Sequence, residues 1–189
     1  MKTYVALLLA PMMLFANVAL ADDAPSPQTD PAARISVTTD IGAASFQRSS
    51  TSPTSESGGF IGGEVRVHPL PMHGFVLGYT HANGIFGPTV SIVDAAYSLR
   101  LVGPRRLQGV TGAIYLDVGP SAGFVYVHHE DPTHAVLGGR ISLASDLQLA
   151  NFTAGAFFAY RGGVPIGAPD AWEGAVTFGL RLGVAFDVH

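Results

Sequence analysis

The sequence predicts an all-β chain that forms one eight-stranded antiparallel up-and-down transmembrane β-barrel. The C-terminal segment 172–188 gives the first reason: from Val176 to Val188 every second residue is large and apolar, and the residues between are mostly small or polar. A period of two with one apolar face is typical of a strand, and about ten such residues cross a bilayer. The second and third reasons are the number of such segments and the side on which their charges fall.

The N-terminal region is predicted to lie outside the barrel. An apolar run over residues 5–20 follows Lys2 and ends in a small-x-small cleavage pattern at Ala21. This pattern is typical of a secretory signal, and the run is short for a membrane anchor. Residues 1–21 are therefore predicted to be a signal peptide. Residues 22–33, rich in Pro, Asp and Ser, predict a disordered leader before a barrel at 34–189.

Composition narrows the class of protein further. Without the signal peptide, 168 of the 189 residues remain, which suits one barrel. Nine arginines, no lysine and 14 acidic residues then give a net charge of −5, so no nucleic-acid partner is expected. Cysteine is absent, so stability in an oxidising compartment must come from the sheet itself.

Alternating segments between turn signals predict eight strands in order. They run over 34–46, 60–68, 75–81, 89–101, 110–118, 135–146, 151–161 and 172–188. Apart from the signal peptide, no window holds about 18 consecutive apolar residues, so a helical membrane protein is excluded. An even number of strands is typical of bacterial outer-membrane barrels.

The connections between these strands predict an orientation. Those after the odd strands, Gln47–Gly59, Ala82–Pro88, Gly119–His134 and Gly162–Ala171, are mostly longer than Pro69–Gly74, Val102–Gly109 and Leu147–Ala150. Long loops on one side and short turns on the other are typical of outer-membrane barrels, whose turns face the periplasm. We therefore expect a periplasmic N-terminus.

Charges within the strands fall on one parity, opposite the large apolar residues. A lipid-facing set should be uncharged, and a lumen-facing set should hold the charges. The predicted lumen charges are Asp40, Glu64, Arg66, Asp94, Arg100, Asp117, Arg140, Asp146 and Arg181. A half-buried soluble sheet also alternates, so the number and length of the strands distinguish the two.

Aromatic residues and one proline refine the strand assignment. Rings at both ends of the outward face predict two interfacial girdles. Tyr79, Phe158, Tyr160 and Trp172 are expected on the loop side, and Phe75, Tyr97, Phe152 and Phe186 on the turn side. Pro120 cannot donate to a strand ladder, so strand five is predicted to end near Val118, with Ser121–Val127 in a loop hairpin.

With these features the chain resembles the small eight-stranded outer-membrane barrels, the class of the OmpA membrane domain and of OmpX. The resemblance covers about residues 34–188 and rests on the signal, strand count, alternation and the Phe186 and Val188 ending. It implies an outer-membrane location. The chain departs from full-length OmpA-like proteins by lacking a following periplasmic domain, so peptidoglycan anchoring is not implied. None of these features is a catalytic or ligand motif.

The predicted lumen holds four arginines and five carboxylates. An eight-stranded barrel is wide enough only for side chains, so a wide pore is not expected. Unpaired charge in a closed interior costs several kcal/mol, so we expect a paired polar plug.

One loop contains the candidate metal ligands His128, His129, Glu130, Asp131 and His134. Histidine and carboxylate groups together suit Zn²⁺ or Cu²⁺. The spacing matches no fixed ligand pattern, and Asp131-Pro132 is typical of a solvated turn. The sequence predicts no metal site and no cofactor, and these five residues remain weak candidates.

A lipid-modifying activity is the main alternative from another class. Some outer-membrane barrels are lipid A hydrolases, with a His and a Ser two positions apart near the outer surface. Here the residue two positions after His81 is Asn83, so that arrangement lacks its nucleophile. We therefore expect no enzymatic activity.

The sequence thus predicts a structural or surface-interaction protein of the outer membrane. Its expected partners are outer-membrane lipid, lipopolysaccharide and the barrel-assembly machinery, with an extracellular partner that the sequence does not identify. A soluble lipocalin-like barrel is a third alternative, which would require an apolar interior and a polar exterior.

Overall fold

A computed structural model describes residues 33–49, 54–84, 89–107, 110–127, 130–167 and 172–188. The predicted signal peptide, most of the predicted leader, His128 and His129 lie outside these ranges. The strands are β1 (Ala33–Ser49), β2 (Thr54–His68), β3 (His73–Gly84), β4 (Thr89–Leu107), β5 (Val110–Val127), β6 (Glu130–Leu149), β7 (Phe152–Pro165) and β8 (Trp172–Val188). No helix in the described ranges is long and apolar enough to cross a membrane.

The eight strands form a closed antiparallel barrel, which confirms the predicted fold. Each strand pairs with the next along the chain, and β8 pairs with β1 from Ala33↔Val188 to Ser49↔Trp172. Closure leaves no unpaired sheet edge. We call the end that holds Ala33 and Val188 the turn end, and the opposite end the loop end.

The strands are staggered by ten residues around the barrel. The register path that starts at Thr38 returns to β1 at Arg48, ten positions further along. It passes through Glu64, Gly78, Asp94, Ser121, Gly138, Gly163 and Glu173. Closure with such a stagger requires strands tilted by about 35–45°, which leaves an interior just wide enough for side chains.

Seven of the eight strands are longer than predicted, whereas β8 has the predicted bounds, and the predicted long loops are wrong. Most residues of Gln47–Gly59 and Gly119–His134 belong to strands, and only 50–53 and 128–129 separate β1 from β2 and β5 from β6. The connections at both ends of the barrel are short. Backbone N–H and C=O groups form ladder hydrogen bonds whatever the side chains are. Polar and glycine-rich stretches therefore extend the strands beyond the segments in which apolar residues alternate.

The prediction for strand five is also wrong, because β5 continues through Pro120 to Val127. Pro120 lies opposite Gly139 in a continuous ladder with β6, whereas the ladder with β4 lacks the pairs between Asp94↔Ser121 and Tyr97↔Val118. The missing N–H of Pro120 therefore interrupts only one of its two ladders. Proline is tolerated here because the β6 side still aligns the strand.

The outer surface of the barrel is apolar. Leu77, Ile141, Leu180 and Leu182 are all exposed, the two β8 leucines by 63% each. The turn-side rings predicted from the sequence are exposed as well, and Phe75 packs edge-on against Tyr97 at 6.2 Å. At the loop end, Phe124 and Tyr126 also face outward, on the part of β5 that the sequence had assigned to a loop.

Candidate functional site

The interior of the barrel, its lumen, holds all nine charges that the sequence assigned to it. Successive side chains of a strand point to opposite faces, so the parity that carries Leu180 and Leu182 outward carries Arg181 inward. None of the nine is more than 8% exposed. They are Asp40, Glu64, Arg66, Asp94, Arg100, Asp117, Arg140, Asp146 and Arg181.

Arg140 of β6 lies at the centre of these charges. It donates hydrogen bonds to Glu64 and, at 3.3 Å, to Asp94 Oδ2, and its Nη2 lies 3.7 Å from Asp117 Oδ2. It also donates to Ser142 Oγ from Nη2 at 3.0 Å. One guanidinium thus compensates carboxylates from β2, β4 and β5, which neutralises charge that would be costly to bury alone.

Arg181 of β8 connects the last strand to the first two. Its Nη2 donates to Glu64 Oε2 at 2.9 Å and to Asp40 Oδ2 at 3.2 Å, and its guanidinium lies 4.9 Å from the centre of the Phe157 ring. Its Nη1 is 3.9 Å from Asp146 Oδ1. Arg181 is only 1% exposed, so these contacts replace the hydration of its Nη groups, while its Nε has no hydrogen-bond partner among the described residues.

Arg66 of β2 binds the carboxylates nearer the turn end. Its Nη2 donates to Asp117 Oδ2 at 2.8 Å, and its Nη1 to Asp146 Oδ2 at 3.5 Å. The guanidinium stacks over Tyr115, 4.2 Å from the ring centre, and the hydroxyl of Ser142 donates to Asp117 at 2.9 Å. The carboxylates are therefore held by hydrogen bonds as well as by charge.

Arg161 of β7 is a lumen charge that the sequence analysis missed. It donates to Asp94 Oδ2 from Nη2 at 2.7 Å and from Nε at 2.9 Å, and to the hydroxyls of Thr80 and Thr177 at 3.0 and 2.9 Å. It shares the parity of buried Phe157, a signal that the strand alternation already contained. With Arg161, five arginines face five buried carboxylates among the described residues.

Strand β3 has no charged side chain among the paired charges of the lumen, which we call the charge network, but its Gly78 leaves room for them. A β-carbon at Gly78 would lie 3.1 Å from Arg140 Nη1 and 3.4 Å from Glu64 Cγ. Any side chain at this inward position would therefore press on the Arg140–Glu64 pair. Glycine is the residue that lets the two side chains lie against the barrel wall.

An apolar layer lies in the lumen toward the loop end. Phe60 and Phe157 meet edge to face at 5.6 Å, and Phe46, Val90 and Val125 belong to the same buried cluster. Their side chains, and not their strands, project into the lumen. The layer and the network together fill the interior with side chains over most of its length.

Arg100 is the one predicted lumen charge that the network does not include. It is 5% exposed and makes no hydrogen bond or ion pair within the described residues, although its guanidinium lies 5.7 Å from the Tyr115 ring centre. His68 lies beside the same ring at 5.1 Å and also has no hydrogen bond there. Among the described residues, Arg100 and His68 are thus buried at the turn end of the lumen without a hydrogen-bond partner for their side chains.

On the outer surface, the structure pairs His81 with a serine that the sequence analysis did not consider. His81 of β3 lies directly opposite Ser91 of β4, and a hydrogen bond of 2.9 Å joins Nδ1 and Oγ. Asn83, two positions from His81, is exposed on the same face. A contact between strands depends on register, which the spacing along one strand cannot reveal.

The histidine cluster of the β5–β6 connection is only partly described. His128 and His129 lie outside the described residues, and so do the side chains of Glu130 and Asp131, whereas His134 lies in β6 opposite Val125. Within the described side chains, no three His, Asp or Glu groups are placed to hold a metal ion.

Comparisons with known proteins bear on the fold. No protein-family model and no curated protein sequence matches the chain. Among solved structures, the chain is similar to Neisserial surface protein A, with a TM-score of 0.55 and 14% identity over 78% of this chain and 96% of that one.

Two further solved structures are matched at lower TM-scores. The attachment invasion locus protein Ail of Yersinia pestis has a TM-score of 0.48 and 11% identity, over 84% of this chain and 100% of that one. The N-terminal β-barrel domain of Pseudomonas aeruginosa OprF has 0.47 and 14%, over 79% and 97%. The likeness to the Neisserial protein confirms the fold resemblance: the chain has the fold of the small eight-stranded outer-membrane β-barrels.

Proposed function

We propose that this chain is an outer-membrane β-barrel protein with a structural or surface-interaction role and a lumen closed by side chains. The observation that carries the proposal is the inverted polarity of the barrel. Five arginines and five carboxylates are buried inside, while large apolar side chains such as Leu180 are exposed outside. Apolar surface on this scale is unfavourable in water and favourable in lipid.

The same polarity argues against a lipocalin-like soluble barrel. That class requires an apolar cavity and a polar exterior, and here the charged network occupies the lumen. Because paired side chains also fill the interior, the proposed role is not that of a wide pore. The surfaces available to a partner are then the loop end and the outer face.

The proposed orientation places the turn end in the periplasm and the loop end at the cell surface. The support is that the N-terminus of β1 lies at the turn end, where a segment exported through a predicted signal peptide would remain. In this orientation the outer face would contact outer-membrane lipid and lipopolysaccharide. The barrel-assembly machinery would insert the chain, and the loop end would meet an extracellular partner.

The test is fractionation of cells that express the full chain, with electrophoresis of the membrane fraction before and after boiling. We expect an outer-membrane band whose mobility changes on heating. Leu180→Arg should abolish this band, because a charge at the lipid face costs about 2–4 kcal/mol near the bilayer midplane. Ser57→Arg, at an outward position near the loop end, is the matched control. A soluble protein that tolerates Leu180→Arg would overturn the proposal.

A second candidate function, ester hydrolysis of a membrane lipid, is favoured by the His81–Ser91 pair alone. A hydroxyl beside an imidazole can attack an ester carbonyl while the imidazole accepts its proton. The ester C–O bond then breaks, the alcohol leaves with that proton, and water hydrolyses the acyl-serine to the free fatty acid. Of the described outward residues opposite the pair in the register, Ile61 and Phe124, none is a carboxylate that could orient the imidazole. For this reason the activity ranks second.

Mass spectrometry of lipid A and phospholipids from cells with and without the protein tests this activity. A lipid hydrolase would remove an acyl chain in the wild type, and Ser91→Ala and His81→Asn would abolish the removal. Ser57→Ala, which changes another outward serine, should leave it intact. Identical lipids in all strains would exclude the activity for these lipid classes.

A further inference from the structure

The turn end of the lumen contains three buried polar side chains that make no hydrogen bond within the described residues. They are His68, Ser98 and Arg100, and none is more than 5% exposed. The other six described side chains with a buried unsatisfied atom are each paired through another atom, as Arg181 is with Glu64. These three polar side chains of the turn end therefore lack the hydrogen-bond partners that the other charged side chains of the lumen have.

The three side chains lie in the same part of the lumen. His68 and Arg100 both face the ring of Tyr115, with 5.1 Å between the His68 and Tyr115 ring centres and 5.7 Å from the guanidinium. Ser98 pairs in register with Gly74, and a β-carbon at Gly74 would lie 2.7 Å from Cδ2 of His68. The absence of a side chain at Gly74 thus leaves room for the imidazole, on the strand next to the one that carries Ser98 and Arg100.

The charge around this part of the lumen is positive. The charged groups that act most strongly on His68 are Arg100, Arg66 and Arg34. Arg66 is already paired with Asp117 and Asp146, and Arg34 lies 3.9 Å from Asp187 at the rim. The nearby carboxylates are therefore engaged, and Arg100 has none of its own.

We propose that the turn end of the lumen is an oxyanion site, in which Arg100 and His68 donate hydrogen bonds to a phosphate or carboxylate group. A guanidinium presents a planar fork of donors that fits two oxygens of such a group, and an imidazole N–H adds a third donor. A bound anion would neutralise the buried guanidinium, whose burial without a counter-charge is costly. The site goes beyond the proposed function and does not depend on which compartment the turn end faces.

Two sources could supply the oxyanion chemistry. One is a small anion of the surrounding solution, with inorganic phosphate as the probe. The other is a carboxylate of this chain, because Asp30 precedes the first residue of β1 by only three positions. The variants Asp30→Asn and Asp22→Asn/Asp23→Asn/Asp30→Asn separate the two sources.

The experiment is isothermal titration of inorganic phosphate into the full-length protein, purified from membranes in detergent at low ionic strength. We expect saturable one-to-one binding that weakens at least tenfold in Arg100→Gln and in His68→Gln. Arg100→Lys, which retains a charge but not the planar fork, should bind with intermediate affinity. His73→Gln is the matched control, because His73 lies at the same end on the outer face, against Tyr97.

Each outcome has a definite meaning. Saturable binding that appears only after the aspartates are replaced supports the site, with a carboxylate of the chain as its natural occupant. Absence of binding in both the wild type and the aspartate variants overturns the proposal. Binding of equal strength in Arg100→Gln and His68→Gln overturns it as well. A heat-modifiable band for each variant shows that the barrel has folded before titration.

Discussion

Arg161 of β7 and Asp94 of β4 form a two-point ion pair across the lumen, with Nη2 and Nε of the guanidinium at 2.7 and 2.9 Å from the same carboxylate oxygen. The two residues come from strands on different sides of the barrel. Asp94 is completely buried, so its charge depends on Arg161 and on the longer contact with Arg140. The pair is the clearest place to measure what the network contributes to stability.

Arg161→Met should lower the free energy of unfolding by roughly 3 kcal/mol, because removal of one partner leaves a buried charge poorly compensated. Urea unfolding of the barrel in lipid vesicles measures the change. The double variant Arg161→Met/Asp94→Leu should lose less than the single variant, because both charges are then gone. A double variant that is less stable than the single one would contradict the assigned pairing.

Arg140→Met should destabilise the barrel more than Arg161→Met does, because Arg140 compensates three carboxylates. On the order of 3–5 kcal/mol is expected from the loss of a buried ionic partner. The freed carboxylates should draw water into the lumen, so conductance in planar bilayers should rise above that of the wild type. Unchanged heat-modifiability together with unchanged conductance would show that the lumen is not held by this network.

Gly78→Leu should destabilise the barrel by about 1–3 kcal/mol through overpacking against Arg140 and Glu64. The control is Gly139→Ala, since a β-carbon there would have only an ordinary contact of 3.6 Å with the Gly119 carbonyl oxygen. The control should change stability by less than about 0.5 kcal/mol. Equal effects of the two substitutions in urea unfolding would disprove the role of Gly78.

Ala150→Gly is expected to stabilise the barrel. Ala150 lies in the tight turn between β6 and β7 with φ at +52°, a conformation that costs a residue with a β-carbon roughly 1 kcal/mol. Glycine adopts it without that cost, so a gain of about 0.5–1 kcal/mol should appear in the same unfolding measurement. Ala154→Gly, at an outward strand position, should instead destabilise by a similar amount. A loss of stability in Ala150→Gly would refute the assigned turn strain.

Much of this architecture could be predicted from the sequence, because side-chain alternation is a local property. The parity of Arg181 against Leu180 and Leu182 is readable without a structure, and so is the strand count. The lengths of the loops could not be predicted in this way, because backbone pairing extends the strands through polar residues such as Ser121. The His81–Ser91 contact and the Arg161–Asp94 pair depend on register and on the width of the lumen, which no single strand encodes.

Arg161 was overlooked for a specific physical reason. It lies near the end of the predicted seventh strand, where strand and loop compositions are alike, while the structure continues β7 to Pro165. Arg100 shows the reverse case: its inward position could be predicted, but the lack of an ion pair with any described carboxylate could not. Which charges meet across a barrel is set by the stagger of the strands.

The contact of Arg181 with Asp40 joins positions 141 residues apart, and that with Glu64 joins positions 117 apart. The ion pair between Asp40 and Arg181 therefore cannot form until β8, the last strand, is in place. Before that step the carboxylate of Asp40 is more stable in water than in lipid, because an unpaired charge inside a membrane has a high free-energy cost. The order of events during assembly follows from this: the first strands should keep one face in water, and the final seam between β8 and β1 should form as the lumen dries.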